Sequence, residues 1–229
     1  MVGHSLISKQ TCRDLNAAIE HYLENDYSSK LVSDGARPGG GTFNKAKAQA
    51  MFDKYKVQGS YLMEQDQIDK FFADIGVNAE TDIVCLMASF HMKAMCMGEL
   101  KKDEFLRGCE ALGCDDIASW QAVVPTLRQQ LKNQSQYKYM YNYVFGFACD
   151  KGMKSLDVDS ANAMWDMLIG DKKCKFMGQW KAFLEEKVNK KELNTISKDT
   201  WELFYDLVEQ TGGDFKRFED DGAWPVLID

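Results

Sequence analysis

Proline is scarce in this sequence, three residues in 229, and no run of alternating β-branched residues breaks its alanine-, leucine-, lysine- and methionine-rich stretches. Both scarcities argue against a sandwich or barrel and predict an almost wholly helical chain. No run approaches 18 apolar residues, which excludes a membrane-spanning helix, and without a basic region followed by an apolar one at the amino terminus a secretory leader is not expected. Basic residues are outnumbered, 28 Lys and Arg against 35 Asp and Glu, and a pI near 5.1 argues against nucleic acid as a main partner. No CxxC pair occurs. The seven cysteines (Cys12, Cys85, Cys96, Cys109, Cys114, Cys149, Cys174) form an odd set that reads as reduced, mostly buried thiols, with a cytoplasmic and nuclear setting expected. There is no HExxH and no phosphate loop, and the three histidines lie in dissimilar contexts. Neither a catalytic set nor a bound metal or cofactor is expected.

What is present suits one large domain with an appendage, since 45% apolar residues can fill a packed core. Residues 1–32 hold a single amphipathic pattern, DLNAAIEHYLEN, with Leu15, Ile19, Tyr22 and Leu23 on one face. One helix cannot bury itself. Residues 33–42, rich in glycine and carrying Pro38, read as a flexible linker, so the main domain is expected over 43–229.

That domain opens with a faint repeat. A twelve-residue window from Lys54 to Gln65 has Gly59 sixth and Tyr61 eighth; a second, Lys93 to Glu104, has Gly98 sixth, Leu100 eighth and Glu104 twelfth. Helical patterns flank both. This is the outline of paired EF-hands, but positions one, three and five are Lys54, Lys56 and Gln58, then Lys93, Met95 and Met97, where calcium needs oxygen donors. Two readings stand: a calcium-independent scaffold, or ordinary helix-turn-helix units with coincidental glycines.

Between the windows, TDIVCLMASFHMKAMCMG carries one stripe of Ile83, Leu86, Met87 and Phe90 and a smaller-residue stripe of Cys85, Ala88, Ser89 and Met92. A helix apolar nearly all round is either central in the core or shared between core and groove. Further on, KKDEFLRGCEALG should stop at Gly113, and Pro125 should kink a helix or open a new one. The aromatic run Tyr137 to Asp150 reads as a core helix; the next should turn Val158, Ala161, Trp165 and Leu168 inward and leave Met164 and Met167 bordering a cleft. In ISKDTWELFYDLVEQTGG, Trp201, Phe204, Tyr205 and Val208 should be buried, Gly212 the stop, and Asp199 either the helix cap or a surface charge.

From Asp199 onward nine carboxylates face only Lys216 and Arg217, so this one stretch holds an acidic excess as large as that of the whole chain. It is either a solvated surface or, because Trp224 and Val226 to Ile228 stand beside the charges, a docking face for a basic partner.

The stretches KDTWELF and GAWPVLID, with KKDEFLRGCEALGCDDI before them, resemble the PONY domain of the defective-in-cullin-neddylation family, and the likeness covers roughly the last four fifths of the chain. It implies an all-α fold of degenerate EF-hand-like helix pairs and a non-covalent scaffold, without a catalytic cysteine, that promotes cullin neddylation by bridging a conjugating enzyme and a cullin. It implies two sites. A cullin-binding patch, for the cullin carboxy-terminal domain, falls on Asp199, Ala223 and Asp229. A pocket for the acetylated initiator methionine of the conjugating enzyme falls on Ile68, Cys85, Leu86, Ala88, Ser89, Gly98, Leu100, Phe147, Met164 and Met167. Met164 stands where familiar members have an aromatic residue and Leu100 where they have phenylalanine. Many members begin with a ubiquitin-associated domain; DLNAAIEHYLEN resembles only its last helix, so ubiquitin binding is not expected. The family continues as a helix through the region where Asp229 falls, which implies a shortened chain. Readings as an EF-hand-derived calcium sensor or a ubiquitin adaptor meet the missing loop oxygens and the partial first domain respectively.

Overall fold

The computed structural model of the chain describes residues 43–217. The expected first helix and linker (1–42), the GAWPVLID stretch, Ala223 and Asp229 lie outside the described residues.

The fold is helical, as the composition predicts. Its first half contains α1 (Lys45–Tyr55), β1 (Leu62–Glu64), α2 (Gln65–Asp74), α3 (Val84–Met92), β2 (Glu99–Lys101), α4 (Lys102–Leu112) and α5 (Ile117–Gln130). Its second half contains α6 (Gln134–Ala148), β3 (Leu156–Asp157), α7 (Val158–Leu168), α8 (Gly170–Lys173), α9 (Met177–Asn189), β4 (Thr195–Ile196) and α10 (Lys198–Thr211), ending in a 3-10 turn, Phe215–Arg217. Each strand directly precedes a helix. The strands pair two by two, antiparallel, with Met63 opposite Leu100 and Leu156 opposite Ile196.

That register corrects the first window. Leu100 is the eighth residue of its loop, and its partner is Met63, two residues later than Tyr61, which is 77% exposed. Gly59, with φ 78°, turns the chain early, and burial of Met63 fixes which residue of the short strand faces the core. The second strand pair was not anticipated from the sequence, because two-residue strands carry no periodicity.

Two aromatic clusters anchor the halves. Phe71 meets Phe105 and Trp120 edge-on, at 5.2 and 5.3 Å between ring centroids. In the other, Trp201 stacks between Tyr141 at 4.6 Å and Trp165 at 5.3 Å. The polar atoms of this cluster satisfy one another: Trp165 Nε1 donates to Tyr141 Oη, which donates to the Trp201 carbonyl, while Trp201 Nε1 donates to the Tyr141 carbonyl. α6 carries both this cluster and, on its opposite side, Tyr143, whose hydroxyl donates to the carbonyls of Ser89 at 3.0 Å and Ala94 at 2.7 Å. One aromatic helix thus joins the halves.

Gly113 and Gly212 end their helices in left-handed conformation as expected. Pro125 sits inside a continuous α5 and starts no new helix. Asp199 is not the cap of α10. Ser197 is, its side chain accepting from Thr200 N at 3.1 Å, and Asp199 falls in the first helical turn. After α10, Gly213 (φ 73°) lies so close to the α8–α9 junction that a Cβ would meet the Lys173 carbonyl, and its own carbonyl accepts from Lys175 N at 2.8 Å.

Candidate functional site

The helix expected between the windows is cut short at Met92 because Lys93 takes a left-handed conformation (φ 50°, ψ 43°). α3 is therefore a central rod, buried along most of its length, and a loop of residues 94–98 folds back beside it. Where that loop, α2, α3, α6 and α7 converge they enclose a cavity of about 80 Å³. At roughly 10–15 Å³ per water-sized position, that is room for a small apolar side chain.

The walls come from separate elements. α2 supplies Ile68; α3 supplies Cys85, Leu86 and Ser89; Gly98 and Leu100 come from the second loop and β2; Phe147 comes from α6, and Met164 and Met167 from α7. These are nine of the ten residues that the resemblance assigns to a pocket. Ala88 is the exception and needs correction. It is fully buried and does not line the cavity. At about 100° per residue, the arc Cys85–Ser89–Leu86 faces the cavity and Ala88 falls roughly 110° from its middle, against the core. The small-residue stripe therefore does not coincide with the groove: Met92 is also at 0% exposure, packed so tightly against Gly108 that a Cβ there would overlap its Cγ.

The sequence reading missed Gln65, Phe72, Ala79, Ala94, Cys96, Met97 and Glu99, which also line the cavity. Phe72 was findable, one helical turn beyond Ile68 on the same face. Cys96, Met97 and Glu99 depend on the loop's course, to which several contacts contribute: Met97 N donates to the Phe147 carbonyl at 2.9 Å, Arg107 donates to the Met92 carbonyl at 3.1 Å, and Tyr143 holds Ala94 as above. At the rim, Lys151 pairs with Glu99 at 2.7 Å.

Among the described residues all six cysteines are free thiols, and burial pushes each one up. Cys85 rises to about 12, with Asp82 adding to the effect of burial, Cys114 likewise to about 12 and Cys174 to about 11; Cys96, Cys109 and Cys149 are raised as well. A nucleophilic thiol needs the opposite shift.

On the far side of α3, His91 is 9% exposed, and its Nε2 lies 2.8 Å from Gln130 Oε1. Burial holds its pKa below the ordinary 6.5, against the opposing pull of the Gln130 bond. Above pH 6.5 the ring is neutral folded or unfolded. Below it only the unfolded chain takes up the proton, so stability falls with pH until the folded-state pKa is passed. Urea unfolding between pH 7.5 and 5.5 should show this loss in the parent and a shallower one in His91→Gln; equal slopes would contradict it.

The second expected site is represented among the described residues by Asp199 alone. It is exposed in the first turn of α10, and among the described residues no cation lies within ion-pair distance of it. Of the other carboxylates on this helix, Asp206 pairs with Lys138 at 2.5 Å and Glu209 accepts from Gln134, while Glu202, 3.8 Å from Lys198, leaves its buried Oε1 without a hydrogen bond.

A family profile described as cullin binding matches residues 119–229. DCN1-like protein 5 of Rattus norvegicus and that of Homo sapiens are each 31% identical to this chain over 213 residues, 92% of this chain and 84% of theirs. DCN1-like protein 3 of Xenopus tropicalis is 29% identical over 185 residues, 80% of this chain and 60% of its own length.

Proposed function

The chain belongs to the DCN1-like family, and from that premise we propose that it is a scaffold in cullin neddylation, holding a conjugating enzyme on one face and a cullin on another. The cavity receives the acetylated initiator methionine of the conjugating enzyme among Ile68, Cys85, Leu86, Ser89, Gly98, Leu100, Phe147, Met164 and Met167. Asp199, with Ala223 and Asp229, receives basic side chains of the cullin carboxy-terminal domain. The observation that carries this reading is the convergence of four helices and one loop, far apart in sequence, on a single small apolar cavity, a shape suited to one unbranched apolar side chain.

The rate gain then comes from proximity. A charged thioester and an acceptor lysine held on one body meet at high effective concentration, and no covalent step passes through the scaffold. The raised thiols are in keeping with that mechanism. Reconstituted transfer of the modifier to a cullin fragment tests the proposal: the chain should accelerate it at concentrations well below those of enzyme and cullin. An unchanged rate would refute it.

A further inference from the structure

In the second loop, the residue in the twelfth position, where a calcium loop would present a bidentate carboxylate, is Glu104, and its carboxylate is turned on the loop itself. Glu104 is 3% exposed. Its Oε1 accepts from Met95 N at 3.2 Å and its Oε2 from Lys101 N at 2.9 Å, so one buried side chain ties the middle of the loop to the start of α4. Two backbone N–H groups that would otherwise be unpaired are satisfied by a charge-assisted acceptor. The same loop contains the left-handed Lys93, a conformation unfavourable for a residue with a Cβ, so something must hold it. The carboxylate also sits close enough to Cys96 and Tyr143 to act on both electrostatically, and these two residues stand on the cavity wall and on the strut behind it.

We propose that Glu104 is the positioning residue of the cavity: its carboxylate closes the 93–98 loop from within, in the place a cation would occupy in a calcium loop, and so preorganises the wall formed by Cys96, Met97 and Gly98. This rests on the reading of the cavity as the acetylated-methionine pocket. The device explains how a loop with lysine and methionine at its would-be ligand positions keeps a defined shape. It also makes pocket shape independent of calcium.

Amide hydrogen exchange and calorimetry on the full chain test it, with an acetylated methionine-initiated peptide as the probe. In Glu104→Ala, exchange at Met95 and Lys101 should accelerate about tenfold or more while α6 and α10 keep parent rates, and peptide affinity should fall about tenfold as the competent loop becomes a minority state. Glu104→Gln keeps one carbonyl oxygen and should restore part of both. Should Glu104→Ala speed exchange everywhere, Glu104→Gln carries the comparison. Unchanged exchange at Met95 and Lys101 in a folded variant would overturn the proposal, as would faster exchange with unaltered affinity. If the parent chain itself ignores the peptide, the occupant assigned to the cavity is wrong, and the exchange rates still decide whether Glu104 closes the loop.

Discussion

A peptide copying the acetylated amino terminus of the conjugating enzyme is expected to bind the chain about thirtyfold more tightly than the same peptide with a free amine. The cavity is small and walled mainly by apolar side chains, with neutral polar groups such as Gln65 and Ser89 among them, so an ammonium entering it loses its water without gaining an unpaired carboxylate, at a cost of about 2 kcal/mol, and each 1.4 kcal/mol is about tenfold in affinity. The one carboxylate on the wall, Glu99, is already paired with Lys151. Met167→Arg should abolish binding of the acetylated peptide. Met167 is only half-buried and lines the cavity, so the variant should fold while its longer, charged side chain takes up cavity space. An arginine at Ala88 would be a poor substitute, since that residue is inside the core and its replacement would act through folding. Calorimetry giving equal affinities for the two peptides would remove the assignment.

Asp199→Lys is expected to lower cullin affinity at least about tenfold, or about 1.4 kcal/mol, and to leave peptide binding untouched. An exposed carboxylate that has no cation beside it among the described residues becomes a like charge facing a basic partner. The fold should tolerate the change. Because Ser197 is the cap, the variant gives up a favourable charge at a helix amino terminus and places an unfavourable one there, each worth roughly 0.3–1 kcal/mol. Parent binding should weaken with added salt. Sedimentation or interferometry with a cullin carboxy-terminal fragment reads both effects, and a variant that keeps parent affinity would leave the acidic stretch a solvated surface.

Helix identity was legible in the sequence because long amphipathic patterns repeat every three to four residues: Trp201, Phe204, Tyr205 and Val208 are buried as the pattern of α10 requires, and Val158, Ala161, Trp165 and Leu168 as that of α7 requires. The cavity was legible only in part. Met164 and Met167 could be assigned to a cleft from their face of α7, but the rotation of α3, which turns Cys85, Leu86 and Ser89 toward the cavity and Ala88 away, is set by the close approach of Gly108 to Met92 and by Tyr143. Those are contacts between residues 16 and 54 positions apart, and no local pattern encodes them. The two-residue misplacement of the first window has a similar origin, since strand register there is decided by which of Tyr61 and Met63 finds the core. Asp199 was misassigned as a possible cap for a simpler reason: Ser197, two residues earlier, competes for the same role and wins.

The central claim is that one molecule must hold both partners at once, and mixing variants tests it most directly. Met167→Arg and Asp199→Lys each remove one site and leave the other. If the chain acts as a bridge, neither variant alone should accelerate transfer to the cullin, and an equimolar mixture should be as inactive as either, because no single molecule carries both sites. A mixture that recovers the parent rate would show that the two faces act independently, and would contradict the bridging account.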